Sequence, residues 1–418
     1  MNILLFEDAA VDRLFPATTG RPAFAITCGG YRLYDLAAKL VARDAGAIAA
    51  IVRPHLAALV EADFPLVKPS QALKESTGVT LAINARLVPS MTALDRLAKL
   101  AAAGIPSVVR HGDSIAAAVL TPEHCPADLP YADGDLSPAL RKLPLPSWES
   151  DLLLFDYPHD LVRHHMALCK ASLEHRIASG SYTQLRDGVF VANGAVLGEH
   201  VVTDTAAGPI VIEAGATVGP FCFLRGPVLL GAKCRVSEHS AIKDGVCLGH
   251  TTKIGGEIEA SVIEPYTNKQ HHGFVGHSYL GSWVNLGAGT CNSDLKNTYG
   301  TVKMDYGRER VDTQMQFVGA VIGDYAKTAI NTGIFTGKTI GVCSMVYGFV
   351  TTNVPSFTNY ARLFGQVTES PADVLVATQG RMFARRSVPQ RQCDIDLIHA
   401  MFELTRHERQ MVGEPLSL

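Results

Sequence analysis

A six-residue spacing of aliphatic side chains constrains this chain more than any other feature. Every sixth position from Ile212 is aliphatic: Ile212, Val218, Leu224, Leu230, Val236, Ile242, Leu248 and Ile254. Gly219, Gly231, Gly249 and Gly255 follow four of them. The frame lapses near residues 256–273 and resumes at Phe274, Leu280 and Leu286. It lapses again and returns as Ile322, Thr328, Ile334, Ile340 and Val346. This period fits neither a helix nor an ordinary strand. It fits a coil with three flat faces, each hexapeptide making one short strand and one turn. The aliphatic residue points inward, the small residues permit tight, left-handed turns, and successive rungs stack about 4.8 Å apart. The expectation is a left-handed parallel β-helix from about Val189 to about Val354. A Val/Gly-rich sandwich with accidental spacing is the alternative, and eight consecutive in-frame aliphatics disfavour it.

At 418 residues the chain is too long for one ordinary domain. Residues 1–145 alternate apolar runs with helical stretches. Asn2–Phe6, Val79–Ile83 and Ser107–Arg110 read as strands, and Tyr31–Arg43 and Thr92–Ala103 as helices. That rhythm predicts a small α/β domain. The Pro-rich LPLPSW stretch (Leu143–Trp148) marks a boundary. Residues 146–185 read as a linker, with a strand-like LLLF and then a helix from His159 to Ile177. The β-helix domain occupies 186–356. Residues 357–418 form a helical tail, with helices over Ala372–Arg386 and Asp394–Gln410 and basic residues Arg381, Arg385, Arg386 and Arg391.

Composition narrows the partners. A net charge of −3 gives no reason to expect nucleic acid. The opening MNILLFED has no basic leader or cleavage site, and no apolar run is long enough to span a bilayer. Nine scattered cysteines without a C-x-x-C pair read as reduced thiols in a cytoplasmic protein.

Chemistry concentrates in Asn268–Asn297, which holds His271, His272 and His277 with several Asn and two Lys among small residues. Loops that leave a regular scaffold commonly carry function. A filled prism cannot enclose a substrate, so the expected site lies outside, in a groove between neighbouring prisms. An imidazole there can take the proton that an amine loses on attacking a thioester. A Gly- and Ala-rich turn can offer backbone N–H groups to the oxyanion.

The segment resembles the acyltransferase half of the bifunctional N-acetylglucosamine-1-phosphate uridylyltransferase/glucosamine-1-phosphate acetyltransferase family. That family shows Lys-x-x-His, an aromatic-aliphatic-Gly step, then Val-Asn-aliphatic-Gly-Ala-Gly-Thr. Here the matching residues are Lys269 and His271, with a Lys spacing one residue short, then Phe274-Val275-Gly276 and Val284 to Thr290. Closer still is the resemblance to a variant sugar nucleotidyltransferase/acetyltransferase branch of Bacteroidetes type. The shared stretches are LLFDYPHDLV (Leu153–Val162), GFVGHSYLG and SDLKNTYG (Ser293–Gly300). The resemblance implies acetyl-CoA as cosubstrate, an amino sugar as acceptor, His271 as general base and a homotrimer. It implies substrate-binding roles for Arg225, Asn285, Asn292 and Lys303. Arg225 matches the Arg that holds the sugar phosphate, but Glu259 stands where its basic partner is expected.

Sugar-nucleotide pyrophosphorylases carry a Gly-rich loop after the first strand, then Arg-Leu-x-Pro-Leu-Thr and Pro-Lys. RLFPATTGRP (Arg13–Pro22) resembles the second part. Glu7, Asp8 and Asp12 lie where the Gly-rich loop is expected, and Ala23 stands in place of the Lys. Carboxylates there repel a triphosphate unless Mg²⁺ intervenes. The resemblance implies a reduced nucleotidyltransferase-like domain, with Arg13 and Arg21 as its phosphate candidates and Mg²⁺ if it is active.

The reading is therefore an α/β nucleotidyltransferase-like domain followed by a left-handed β-helix with a helical tail. Its expected function is acetyl-CoA-dependent N-acetylation of an amino sugar phosphate or nucleotide-linked amino sugar. Sugar-1-phosphate nucleotidylyl transfer is the second activity to test, and a nucleoside triphosphate its substrate. The alternative is a nucleotidyltransferase-like protein whose β-helix is a non-catalytic oligomerisation scaffold.

Overall fold

A computed structural model describes residues 1–42, 46–74, 78–124, 128–307 and 309–410. The chain divides into two compact units, one of Met1–Leu14 with Arg21–Tyr157 and one of Phe15–Gly20 with Pro158–Leu418.

The first unit is built on a seven-stranded sheet in the order β3-β2-β1-β4-β6-β5-β7. Its strands are β1 (Asn2–Phe6), β2 (Ile48–Ile51), β3 (Val67–Pro69), β4 (Thr80–Asn84), β5 (Ser107–His111), β6 (Ser114–Leu120) and β7 (Ser147–Glu149). Only β6 runs antiparallel to its neighbours β4 and β5. Every residue of β1 and β4 is buried, as expected of central parallel strands covered on both faces. The helices are α1 (Leu33–Val41), α2 (Ala57–Asp63), α3 (Met91–Ala103) and α4 (Ser137–Lys142). Helix α3 has clear signals at both ends. Ser90 caps its start by accepting from the Ala93 amide at 3.0 Å, and Gly104 ends it at φ 61°.

The predicted strands Asn2–Phe6, Val79–Ile83 and Ser107–Arg110 and both predicted helices are present, except that Arg43 lies outside the described residues. The Pro-rich stretch does not end the unit. It delivers β7 to the sheet edge beside β5.

The second unit begins with Phe15–Gly20 and the helix α5 (His159–Ser179), followed by a β-helix with three parallel faces. One face has ten strands and another nine, each including one antiparallel strand at an end. The third has five, from Val202–Asp204 to Phe274–Gly276, followed by a separate three-stranded group. The inward aliphatics from Ile212 to Ile254 are all buried and form one continuous core. The tail forms α6 (Ala372–Ala384), α7 (Gln392–Leu404) and α8 (Arg406–Gln410).

Three details differ from the expectation. First, the coil does not break at 256–273. Inward positions continue through Ile258, Ile263, Lys269, Val275, Leu280 and Leu286, all buried, and the strands stay in ladder register. Shorter corners at 254–258, 258–263 and 275–280 shift the six-residue frame without interrupting the rungs. Val275, not Phe274, points inward. The chain leaves the coil later, at Ser293–Phe317, where Lys303–Tyr306 and Glu309–Asp312 form an antiparallel hairpin.

Second, the glycines after the inward aliphatics serve close approach between rungs. A Cβ on Gly255 would lie 2.1 Å from the Gln270 carbonyl oxygen, and one on Gly231 2.4 Å from that of Leu248. Third, many left-handed corners are held by non-glycine residues, among them Phe221, His239, Tyr266, His277 and Trp283. Such residues cost about 1–2 kcal/mol each. Stacking between rungs offsets part of this, as in Tyr266 on Trp283 at 4.3 Å and Trp283 on Phe383 of α6 at 4.4 Å.

Candidate active site

His271 lies in the corner that follows Asn268–Lys269, and its side chain is exposed. The corner is fastened from inside. Lys269 occupies an inward position, fully buried, and its Nζ donates to the carbonyls of Gly255 and His271, each at 2.8 Å. The Gly289 amide donates to the His272 carbonyl at 3.0 Å, so this corner stacks under the Gly287–Thr290 turn. Asn285 is on the adjoining rung, where its Oδ1 accepts from Asn268 Nδ2 at 2.8 Å. His271 therefore lies against the Gly287–Thr290 turn, three residues along the rung from Asn268, the ladder partner of Asn285.

Burial pushes the Lys269 ammonium down to about 8. The folded state disfavours the protonated form, so this group makes stability rise between about pH 8 and its ordinary value near 10.5, where the unfolded chain still binds the proton. Lys269→Met is expected to abolish that rise, as measured by urea denaturation across the same range.

His277 occupies the next corner, at the far end of the strand Phe274–Gly276. Its Nδ1 donates to Asp294 Oδ2 at 2.8 Å, and its ring stacks on Phe317 at 5.1 Å. Both members of the pair are mostly shielded, with side chains 16% and 15% exposed. Asp294 and Phe317 flank the start and end of the excursion from the coil, where Leu295 and Phe317 form a bridge. Gly276 makes the pair possible, because a Cβ there would fall 2.4 Å from Asp294 Oδ2. With Nδ1 bound to a carboxylate, the neutral imidazole keeps its lone pair on Nε2, the arrangement of an oriented general base. Among the described residues no carboxylate ion pair comparably orients His271.

The other expected site residues scatter. Asn292 is buried, with Oδ1 accepting from the Gly276 amide and Nδ2 donating to the Gly276 carbonyl, both at 3.0 Å. Its amide fastens two rungs together. Arg225 forms a short, two-pronged ion pair with Asp244. It shares a ladder row with Lys243, Glu259 and Gly276, so it lies three rungs, about 14 Å, from Gly276. Glu259 accepts from Lys243 at 3.2 Å, which explains an acid where a second base was expected. Lys303 stands on the exposed hairpin, 4.0 Å from Asp312.

A basic group was only half visible in the sequence. Arg235 and Lys253 are ladder neighbours on the ten-stranded face. Arg385 and Arg386 follow α6, whose Phe383 is seated on Trp283. Lys253 is pulled below its usual value chiefly by the charge of Arg386, then by burial, Arg235 and Arg385. Among the described residues no salt bridge joins these four cations to a carboxylate.

In the first unit, the acids after β1 have structural partners. Glu7 accepts from Arg53 Nε at 3.0 Å and from the amides of Arg53 and Ala23. Asp8 is held by Arg86 and by Asn84 Nδ2 at 2.8 Å. Two of the three acids at this position are thus engaged by buried cations. Arg13 is exposed on a 3-10 turn, whereas Arg21 is buried and its carbonyl accepts from Arg53. Neither Arg53 nor Arg86 was singled out from sequence, since a lone Arg gives no local signal of its partner.

Residues 3–178 match the family described as sugar nucleotidyl transferase. The bifunctional protein GlmU of Ralstonia pickettii is 36% identical over 131 residues, which is 30% of this chain and 28% of that protein. The bifunctional sugar-1-phosphate nucleotidylyltransferase/acetyltransferase of Sulfurisphaera tokodaii is 30% identical over 142 residues, or 34% of this chain and 35% of that protein. Over these stretches the chain is similar to bifunctional transferases. The alignments span about a third of each curated relative's length. Among solved structures, the UDP-N-acetylglucosamine acyltransferase of Francisella novicida aligns over 52% of this chain and 87% of its own, with a TM-score of 0.35 and 11% identity. No described helix is long and apolar enough to cross a membrane.

Proposed function

We propose that this chain is an acetyl-CoA-dependent N-acetyltransferase acting on an amino sugar phosphate or a nucleotide-linked amino sugar. The observation that carries the proposal is the segment Asn268–Asp294, which puts three imidazoles on two successive corners of a rigid prism beside a Gly- and Ala-rich turn. The Sulfurisphaera tokodaii relative supports it, since that protein is a sugar-1-phosphate nucleotidylyltransferase and acetyltransferase in one chain.

In this proposal His277, oriented by the Asp294 carboxylate, takes the proton from the acceptor amine. A second reading gives that role to His271, the base that the family resemblance implies. Strand geometry separates the two. They stand at successive corners, on either side of the strand Phe274–Gly276, so the two readings place the acceptor at different corners of the prism. A homotrimer would let a neighbouring prism complete either groove.

The cations Arg235, Lys253, Arg385 and Arg386 suit the phosphates of coenzyme A. Arg386→Ala is expected to raise KM for acetyl-CoA about 10-fold, to weaken its salt dependence and to leave kcat nearly unchanged, as steady-state kinetics at two ionic strengths would show.

The proposal itself is tested by acetyl-CoA-dependent thiol release with a panel of amino-sugar acceptors. Turnover with at least one acceptor is expected. Absence of turnover with every acceptor, together with no binding of acetyl-CoA, would return the β-helix to a scaffolding role. Nucleotidylyl transfer by the first unit is tested separately, by pyrophosphate release from UTP or dTTP with several sugar 1-phosphates.

A further inference from the structure

Helix α5 covers the outer surface of the nine-stranded face. Cys169 and Leu173 of the helix pack there on Val211, Leu229 and Cys247, all buried. Those three strand residues form one outward row, one per rung. His165 and Cys169 are four residues apart, so they share one side of the helix. A ring nitrogen of His165 and the Sγ atoms of Cys169 and Cys247 lie within 4.8 Å of one another. All three side chains are buried.

The geometry of this cluster, held by one thiol–thiol hydrogen bond and one from the imidazole to a backbone carbonyl, also suits a metal ion. The two sulfurs are 3.8 Å apart. That is far beyond a disulfide bond, but it equals the edge of a tetrahedron with metal–sulfur bonds of about 2.3 Å, which is about 3.8 Å. His165 Nε2 lies 2.8 Å from the Gly245 carbonyl. A carbonyl only accepts, so the proton is on Nε2 and the neutral ring carries its lone pair on Nδ1. Metal-bound imidazoles are commonly oriented in this way, by donating their other N–H to a backbone carbonyl.

We propose that His165, Cys169 and Cys247 form a structural site for a divalent, thiophilic cation of the Zn²⁺ class, which clamps α5 to the β-helix. Charge balance selects the valence. Two thiolates, one neutral imidazole and a divalent ion sum to zero, the only total that an apolar core accommodates cheaply. A monovalent ion would leave one buried negative charge. On binding, each thiol loses its proton to solvent as its sulfur bonds the metal, with no change of oxidation state. Ser172, three residues beyond Cys169 on the same side of the helix, has a buried hydroxyl without a hydrogen-bond partner. The site does not depend on the acetyltransferase proposal.

The test uses the full chain, freed of any affinity tag and produced with and without added zinc. Elemental analysis is expected to find about one zinc per chain that survives dialysis. Exchange with Co²⁺ should give the thiolate-to-cobalt charge-transfer band and intense tetrahedral visible bands. Cys169→Ser and Cys247→Ser should each lose the metal and the bands, while Cys343→Ser, another buried cysteine of the β-helix, should keep both. Wild-type protein that takes up neither zinc nor cobalt stoichiometrically overturns the proposal. So does metal retained by the Cys169→Ser/Cys247→Ser double variant, or a Cys169–Cys247 disulfide found by thiol titration in denaturant. The wild-type cobalt spectrum decides the matter even if the variants fail to fold.

Discussion

Replacing Arg86 with leucine is expected to destabilise the first unit by about 3–5 kcal/mol, the usual result of stranding one member of a buried ion pair. Arg86 has no exposed surface. Its guanidinium donates to both oxygens of Asp8 at 2.7 Å, to the Phe155 carbonyl at 2.6 Å and to Ser114 Oγ at 2.9 Å. It also reaches Asp156 at 3.1 Å. Leucine matches part of the volume and none of the donors, so Asp8 would remain buried with Asn84 alone beside it. Denaturant unfolding followed by a probe in residues 21–157 measures the loss. Adding Asp8→Leu should recover a good part of it, because the stranded carboxylate, more than the missing contact, carries the cost. A loss below about 1 kcal/mol for Arg86→Leu would mean that water reaches the site and that the pair is not structural.

The second large effect concerns catalysis and rests on the acetyltransferase proposal. Removing a general base typically lowers turnover by about 10²–10⁴-fold. His277→Ala is expected to show a drop of that size, and Asp294→Asn nearly as large a drop. An asparagine that presents its amide to Nδ1 would favour the wrong tautomer and move the ring proton onto Nε2, leaving no lone pair there to accept a proton. His271→Ala should act more weakly, through acceptor KM. The fold should survive all three changes, since none of these side chains lies in the inward core. The reverse pattern, with His271→Ala abolishing turnover and Asp294→Asn silent, would assign the base to His271.

Much of the architecture was legible because it repeats. A side chain every six residues is a local code, and its translation into three faces depends only on strand and corner lengths. Helix α3 was equally readable, with a serine at one end and a glycine at the other. Legibility failed where a corner shortened. Loss of the frame after Ile254 looked like an insertion, whereas Ile258, Ile263 and Lys269 continue the stack. A period cannot distinguish a missing corner residue from a departing loop, because both shift the register. Lys269 deepened the illusion, since a lysine at an inward position looks like an end to the core. Its ammonium is accepted there because two backbone carbonyls face it.

The candidate site divides in the same way. GFVGHSYLG and SDLKNTYG were both visible as unusual stretches, yet nothing local links His277 to Asp294. Stacking of rungs brings them to 2.8 Å, and a missing Cβ at Gly276 leaves the room. The acids after β1 show the converse. In sequence they read as a repulsive wall for a triphosphate, and in the fold Glu7 and Asp8 are held by Arg53 and Arg86, residues far along the chain. Sequence alone determined the β-helix, the α/β unit and the region where chemistry gathers, because periodicity and capping act over a few residues. Tertiary structure alone decided which imidazole meets a carboxylate, which charges are buried in pairs and where the chain leaves the coil. Those outcomes depend on contacts between rungs and strands distant in sequence, which no local pattern records.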